Sequence, residues 1–368
     1  MKLLSLVWFK VLPARFGGQK GTALFNRYLA EQAELVCLCS SDNHPDGPLP
    51  YRVRAELPPG KRSVFRPSVW RQIARVIAEE QPTHLLLEYP YHAYAAFRAA
   101  RRHRIKLVLH EHNIEYRRFR NLGHSGWRLL RAYERWACRQ ADLVLFKTEE
   151  DRDHAVTVFG IDAGKTLLVP YGIEPGTPLT NDVDIREQWK IPDDALLLLF
   201  AGTLDYTPNA DAVTAIYKEL APRLDAAGRP YRVLICGRNH SEAFQYLEAL
   251  HHPCIQQTGE VENIGPYYAA ADVFINPVLS GGGVQTKVVD ALAAGCAVCT
   301  FEHGAMGIER SICSDKLIVV ENREWDAMCQ RVQRTPPGKE VPEAFTSFYS
   351  WPAIVARVAT RLKELIHE

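Results

Sequence analysis

A chain of 368 residues, 47% hydrophobic and 24% charged with a net charge of +1, has the composition of a folded globular protein, not of a disordered or fibrous one, and its length makes two domains the default. No apolar run approaches the roughly 20 residues that cross a bilayer. The opening segment Met1–Lys10 has a short apolar stretch and no small-residue cleavage site, so it is expected to be a core strand and not a secretory leader.

Along the chain, short apolar strands alternate with amphipathic helices, the pattern of parallel α/β sheets. The first half predicts strands over 3–9, 34–39, 84–87, 106–110 and 142–146, and helices over 22–34, 68–80, 94–102, 127–140 and 149–159. A strand at 166–169 runs into Pro170-Tyr171-Gly172, and residues 174–194, rich in Pro, Gly, Thr and Asp, read as a linker. The second half restarts the alternation, with strands over 196–201, 232–236, 254–257, 273–277, 297–300 and 317–320. Its helices are predicted over 210–226, 241–249, 264–270 and 286–294. A final helix begins at Ser350, with Ser350 as its N-cap and Pro352 in its first turn. Two halves of one kind suggest two nucleotide-binding-like domains facing across a cleft, with ligands at the carboxyl ends of the strands.

The most informative run is Ser280-Gly281-Gly282-Gly283-Val284-Gln285-Thr286-Lys287, which leaves a predicted strand and opens a helix that Gly295 stops. Three glycines permit positive φ and close backbone approach. The following helix start offers N–H groups and a positive dipole end to phosphate. Lys287 and Asp290 are three apart on one helix face, a cation for a diphosphate beside a carboxylate for ribose hydroxyls. The alternative is a glycine turn made for packing alone. The run is neither a P-loop nor a G-x-G-x-x-G fingerprint.

Other segments end predicted strands with polar groups. Gly17-Gly18 follows the first strand, where glycines allow a substrate close; an ordinary turn explains them equally well. His110-Glu111-His112-Asn113-Ile114-Glu115 follows a buried strand, and His112 suits a sugar hydroxyl or phosphate. Zinc is the competing idea, but His110 and His112 are taken to lie on opposite faces of the extended chain, which disfavours joint ligation with Glu111. Gly202 and Thr203 offer a backbone N–H and a hydroxyl, while Asn209 is either a helix cap or a diphosphate contact. Arg238 follows another strand and can fork onto phosphate. Nine scattered cysteines lack metal spacing, and Cys296-x-x-Cys299 has no helix start after its first cysteine, so reduced, cytosolic thiols are expected.

Charge is unevenly placed. Residues 1–180 carry 27 Lys and Arg against 18 Asp and Glu, and the remainder 17 against 25. Arginines gather at Arg98, Arg101, Arg102 and Arg104, and at Arg117, Arg118, Arg120, Arg128, Arg131 and Arg135. Such a surface suits anionic lipid headgroups or a phosphate-bearing acceptor, or is simply a solvated helix face. No nucleic-acid motif accompanies it.

Taken in order, these pieces resemble the group-1, family-4 retaining glycosyltransferases of GT-B architecture, in the branch that writes its donor loop G-G-G-x-x-x-K. The likeness rests on the early glycine pair, His112-Asn113-x-Glu115, Phe200-Ala201-Gly202 with Pro208-Asn209-Ala210-Asp211-Ala212, Gly237-Arg238, Tyr268-Ala269-Ala270-Ala271-Asp272-Val273-Phe274, the glycine loop and Tyr349-Ser350-Trp351. It implies two Rossmann-like domains facing across a cleft: an acceptor-binding domain over 1–175, a nucleotide-sugar domain over 176–349, and a helix over 350–368 crossing back to the first.

The resemblance also implies transfer with retention and without a metal or other cofactor, from a nucleotide-diphospho-sugar (UDP or GDP) to a glycan, glycolipid or small-molecule acceptor, in cell-surface polysaccharide synthesis. Lys287 and Arg238 would neutralise the leaving diphosphate, and His112 would position sugar or acceptor. Gly202, Thr203, Asn209, Gly281, Gly282, Gly283, Val284, Gln285, Thr286 and Asp290 would hold the donor, and Gly17, Gly18, Asn113 and Glu115 the acceptor. Asp290 stands where the family's second motif glutamate grips ribose; Gly282 replaces the first glutamate. A cytoplasmic protein, peripheral at the inner membrane face through its basic half, is expected. The competing readings are a sugar-nucleotide epimerase on the same fold and a non-catalytic nucleotide-sugar binder.

Overall fold

The computed structural model describes all residues except Arg15, Phe16, Leu122, 175–182, Gly282 and Pro337. Contacts divide the chain into two units, Met1–Gly172 with Tyr349–Glu368, and Ile173–Phe348.

In the first unit seven parallel strands form one sheet: β1 (Lys2–Val7), β2 (Glu34–Ser40), β3 (Arg52–Leu57), β4 (His84–Glu88), β5 (Lys106–Glu111), β6 (Leu143–Phe146) and β7 (Thr166–Leu168), in the order β3-β2-β1-β4-β5-β6-β7. β1 is central, pairing Leu4 with Val36 on one side and with Leu85 on the other. The interior strands read as apolar runs because helices cover both faces. On one face, helices Pro67–Glu80, Ala93–His103 and Trp127–Gln140 set Ile73, Ala96 and Ala137 against Leu4, Leu85 and Leu109. On the other, helices Gly17–Ala30 and Trp351–Leu365 bring Phe25, Leu29, Trp351 and Val355 onto Leu3, Leu35 and Val108.

The chain's last helix therefore completes the first unit's core. Trp351 is fully buried, and a Cβ on Gly172 would stand 2.4 Å from its ring, so only glycine admits the indole there. Farther along, His84 Nε2 lies 2.9 Å from the Leu362 carbonyl oxygen. Ser350 occupies the N-cap position with Pro352 in the first turn, yet its side chain makes no capping hydrogen bond.

β3 is absent from the sequence expectation because Arg-Val-Arg-Ala-Glu-Leu reads as polar. It is an edge strand whose charges are paired: Arg54 reaches Glu56 at 2.6 Å, Glu79 at 2.7 Å and Glu80 at 3.1 Å. The helices Trp325–Arg334 and Glu343–Tyr349 were likewise not anticipated, and Glu242–Ala249 is a 3-10 helix.

The second unit repeats the plan with β8 (Leu196–Ala201), β9 (Tyr231–Cys236), β10 (Ile255–Gly259), β11 (Val273–Asn276), β12 (Ala297–Phe301) and β13 (Leu317–Val320), ordered β10-β9-β8-β11-β12-β13. Strand order reverses between β1 and β4 in one sheet and between β8 and β11 in the other. In such sheets the loops on either side of the reversal diverge and open a crevice at the carboxyl edge. Among the described residues, no helix is long and apolar enough to cross a membrane.

Candidate functional site

In the second unit the candidate residues collect at the reversal between β8 and β11. β8 leads into Gly202 and Thr203, followed by the helix Thr207–Ala215; the glycine loop after β11 leads into the helix Thr286–Ala293. Gly281 has φ +112° and Gly283 φ +77°, backbone that side chains other than glycine resist. A Cβ on Gly281 would lie 3.1 Å from the Tyr206 hydroxyl. Gln285 holds the N-cap position without a side-chain cap.

Lys287 ties the two loops together. Its Nζ donates to Asn209 Oδ1 at 2.8 Å, and Asn209 Nδ2 donates to the Thr203 carbonyl at 2.8 Å. The ammonium also lies 4.3 Å from the Phe200 ring centroid, a cation–π contact. Burial pushes its pKa down to about 7. Asn209 is not a helix cap, since Tyr206 occupies that position. Instead its amide fills the space a side chain on Gly202 would need, 2.8 Å from that missing Cβ.

Arg238 follows β9, and its backbone joins the same loops, its carbonyl accepting from the Leu204 N–H at 2.9 Å. Its guanidinium is not held solely for a ligand: Nε lies 3.3 Å from Asp205, whose carboxylate also accepts from the His240 and Ser241 N–H groups at 2.8 Å each. Val284, Gln285, Thr286 and Asp290 are all half-buried; Gly282 lies outside the described residues.

In the first unit the corresponding edge carries a second cluster. Glu88, at the end of β4, is fully buried and meets two imidazoles, His110 Nδ1 at 3.1 Å and His112 Nε2 at 2.5 Å. Burial alone would raise the Glu88 pKa, but the charge and hydrogen bonds of His110 and His112 hold it well below the usual carboxylate range. Burial pushes His110 down to about 3 and lowers His112 as well. A neutral His112 that donates from Nε2 to Glu88 leaves Nδ1 as its acceptor. Lys147, just after β6, is buried with no hydrogen-bond partner for Nζ among the described residues. Desolvation lowers its pKa to about 8, opposed by the charge of Glu88.

The expectation that His110 and His112 point to opposite faces is corrected: their ring centroids are 4.4 Å apart, because residues i and i+2 of an extended chain share a face. With Glu88 they place three potential ligand atoms within 4.8 Å of one another. The donors are turned onto one another at hydrogen-bond distance, and the buried Lys147 ammonium supplies positive charge to the same carboxylate, an arrangement better suited to a hydrogen-bonded triad than to a cation.

An aromatic wall frames His112. Tyr89 stacks on its ring at 4.3 Å and 12°, and Trp8 packs edge-on to Tyr91 at 5.1 Å. Tyr89 has φ +64°, costing of order 1–3 kcal/mol, the kind of local strain found at functional sites. Sequence reasoning missed Trp8, Glu88, Tyr89, Tyr91 and Lys147. The available signal was a carboxylate and two tyrosines ending an otherwise apolar strand, Leu85-Leu86-Leu87-Glu88-Tyr89-Pro90-Tyr91.

The expected acceptor residues fare unevenly. Gly17 and Gly18 form the first turn of a helix and not a preceding loop. Asn113 is half-buried in the turn after β5. Glu115 is fully buried, accepting from the Tyr91 hydroxyl at 2.6 Å and meeting Arg118 at 3.4 Å, so it anchors Tyr91. All nine cysteines are free thiols, and Cys296 Sγ lies 2.8 Å from the Tyr268 carbonyl oxygen.

Two family models match the chain, Glycosyltransferase Family 4 over residues 17–176 and Glycosyl transferases group 1 over residues 195–335. A D-inositol 3-phosphate glycosyltransferase of Xylanimonas cellulosilytica is 26% identical over 157 residues, 37% of this chain and 35% of that relative. The match thus spans about a third of the relative's length. Among solved structures, Anabaena Alr3699/HepE in complex with UDP superposes with a TM-score of 0.74 at 16% identity, covering 99% of this chain and 100% of the other. Sucrose-phosphate synthase from Thermosynechococcus elongatus gives 0.72 at 17% identity, with 100% of both chains covered. These likenesses establish the fold, GT-B with two Rossmann-like units.

Proposed function

The chain belongs to the group-1, family-4 glycosyltransferases, and from that membership we propose that it moves a sugar, with retention and without a metal, from a nucleotide-diphospho-sugar to an acceptor. The second unit takes the donor. The observation that carries this reading is the Lys287–Asn209 contact at the glycine loop, 2.8 Å long. It sets an ammonium beside a helix start at the sheet's reversal, the place where a diphosphate gains most from fixed positive charge.

In this reading the chemical work is neutralisation of charge developing on the leaving diphosphate. Lys287 and the N–H groups at the start of Thr286–Ala293 supply it, as preorganised dipoles and charges do for other oxyanions. Asn209 holds the ammonium in place before the donor arrives. Arg238 contributes through a guanidinium shared with Asp205. Asp290 takes the ribose hydroxyls, and Gly202 lets the backbone approach.

The first unit takes the acceptor. His112, steadied by Glu88, accepts a hydroxyl proton at Nδ1 or orients the sugar against the Tyr89 wall. The products belong to cell-surface glycan synthesis on the cytoplasmic side, where nine free cysteines are at home.

The test is turnover of a panel of UDP-, GDP-, ADP- and dTDP-sugars in the presence of a chelator, with product anomers assigned by NMR. Turnover of none of them, while a nucleoside diphosphate still raises the melting temperature, would leave a binding protein and end the enzymatic reading.

A further inference from the structure

The first unit carries a second feature that the transfer site does not use, a cavity of about 570 Å³, within the range of small-molecule sites. Val64, Phe65, Trp70, Tyr94 and Leu129 line it, with Tyr91 at one side. Its walls are almost wholly carbon. Phe65 and Leu129 are each 80% exposed; singly this is ordinary, but two large apolar side chains on the rim of an apolar hollow mark a binding surface.

The charge around it has one sign. Between residues 93 and 140 the acidic side chains are Glu111, Glu115 and Glu134, and all three are fully buried. Arg98, Arg118, Arg120, Arg128 and Arg131 on the same helices are exposed. Arg118 and Arg120 flank Phe119, Arg128 precedes Leu129, and Arg98 Nη1 donates to the Tyr94 hydroxyl at 3.1 Å. An occupant of this surface must bring hydrocarbon for the hollow and negative charge for its rim. A second copy docking through the same face would set arginine against arginine.

Tyr91 joins the hollow to the aromatic wall. One side of it lines the cavity, its ring packs 5.1 Å from Trp8, and its hydroxyl is fixed on Glu115 at 2.6 Å. The Tyr133 hydroxyl, also on the cavity lining, donates to the Tyr91 carbonyl at 3.1 Å. The hollow therefore abuts the edge of the sheet that carries His112.

We propose that this groove receives the hydrocarbon chain of a lipid phosphate, the arginines meet its phosphate, and the sugar acceptor is a lipid-linked one. This deepens the reading of the first unit as the acceptor side and rests on it. Apolar burial and rim charge act together, as they do in surfaces that hold anionic amphiphiles.

The experiment titrates the full chain with farnesyl monophosphate below its micelle-forming concentration, following tryptophan fluorescence, since Trp70 lines the groove. Farnesol and inorganic phosphate are run as the single-feature controls. Saturable binding of farnesyl monophosphate is expected, roughly tenfold or more tighter than farnesol, with none by inorganic phosphate. Phe65→Ser/Leu129→Ser is expected to weaken it by roughly tenfold, and Arg128→Glu/Arg131→Glu to remove the preference over farnesol. Both variants change exposed side chains and should retain the thermal shift given by nucleoside diphosphates. No saturable binding, or equal binding by the Ser/Ser variant, overturns the proposal. Dimerisation that Phe65→Ser abolishes also overturns it, assigning the groove to a second copy. Absence of any nucleotide shift in the unaltered protein counts against sugar transfer and leaves the groove result to stand by itself.

Discussion

Lys287 and Asn209, 78 residues apart in sequence, meet at 2.8 Å between Nζ and Oδ1. The contact links the loop after β8 to the helix after β11, on the two sides of the sheet's reversal. The amide gives one neutral hydrogen bond to a desolvated ammonium and no compensating charge, so the lysine retains affinity for an anion.

Replacing that lysine should therefore remove function without removing the fold. Lys287→Ala is expected to lower turnover by about a hundredfold, the scale of losing one transition-state electrostatic contact, with the circular dichroism spectrum unchanged. Activity near the starting level would contradict the assigned role.

Nucleotide affinity should depend on pH with a definite sign. The free-protein pKa of Lys287 lies near 7, depressed by burial. A bound diphosphate favours the charged form, so above pH 7 binding takes up a proton. Affinity for a nucleoside diphosphate is expected to fall as pH rises, by up to about tenfold per unit above 7. Calorimetry at pH 6.5, 7.5 and 8.5 checks this. Lys287→Arg, whose guanidinium stays protonated, should flatten the profile; a flat profile in the unaltered protein refutes the linkage.

Glu88→Gln keeps the size of the side chain but removes the charge that His110 and His112 share. A neutral amide no longer dictates which nitrogen of His112 carries the proton. Turnover is expected to drop by roughly a hundredfold, the lower end of the range seen for general acid–base contributions. Nucleoside diphosphate affinity should not move. Equal losses in both measurements would point to a folding defect in place of a positioning role.

Gly172→Ala tests the seat of the closing helix. The added methyl would lie 2.4 Å from the Trp351 ring, and overpacking of this kind costs about 1–3 kcal/mol. Trp351→Ala should cost about 3–5 kcal/mol. Urea denaturation curves measure both. If Gly172→Ala leaves the midpoint in place, the close approach is not a constraint.

Much of the architecture was legible as periodicity. Leu196–Ala201 stands at the boundaries expected of it, because a strand buried on both faces must be a continuous apolar run. β3 was not legible, since an edge strand can keep its arginines by pairing them with glutamates from a neighbouring helix. The face shared by His110 and His112 follows from the period of an extended chain and was misjudged, not hidden.

The sequence by itself determined that the chain alternates strand and helix, that glycines 281 and 283 permit positive φ, and that Lys287 opens a helix beside them. These are local matters, set by steric freedom and by a repeat of two or 3.6 residues. Only the tertiary structure decided that Asn209 would hold Lys287, that Glu88 would join two histidines, and that Trp8, Tyr89 and Tyr91 would form one wall. Those meetings depend on strand order, which places β1 beside β4 and β8 beside β11, and strand order is settled by packing across the whole sheet.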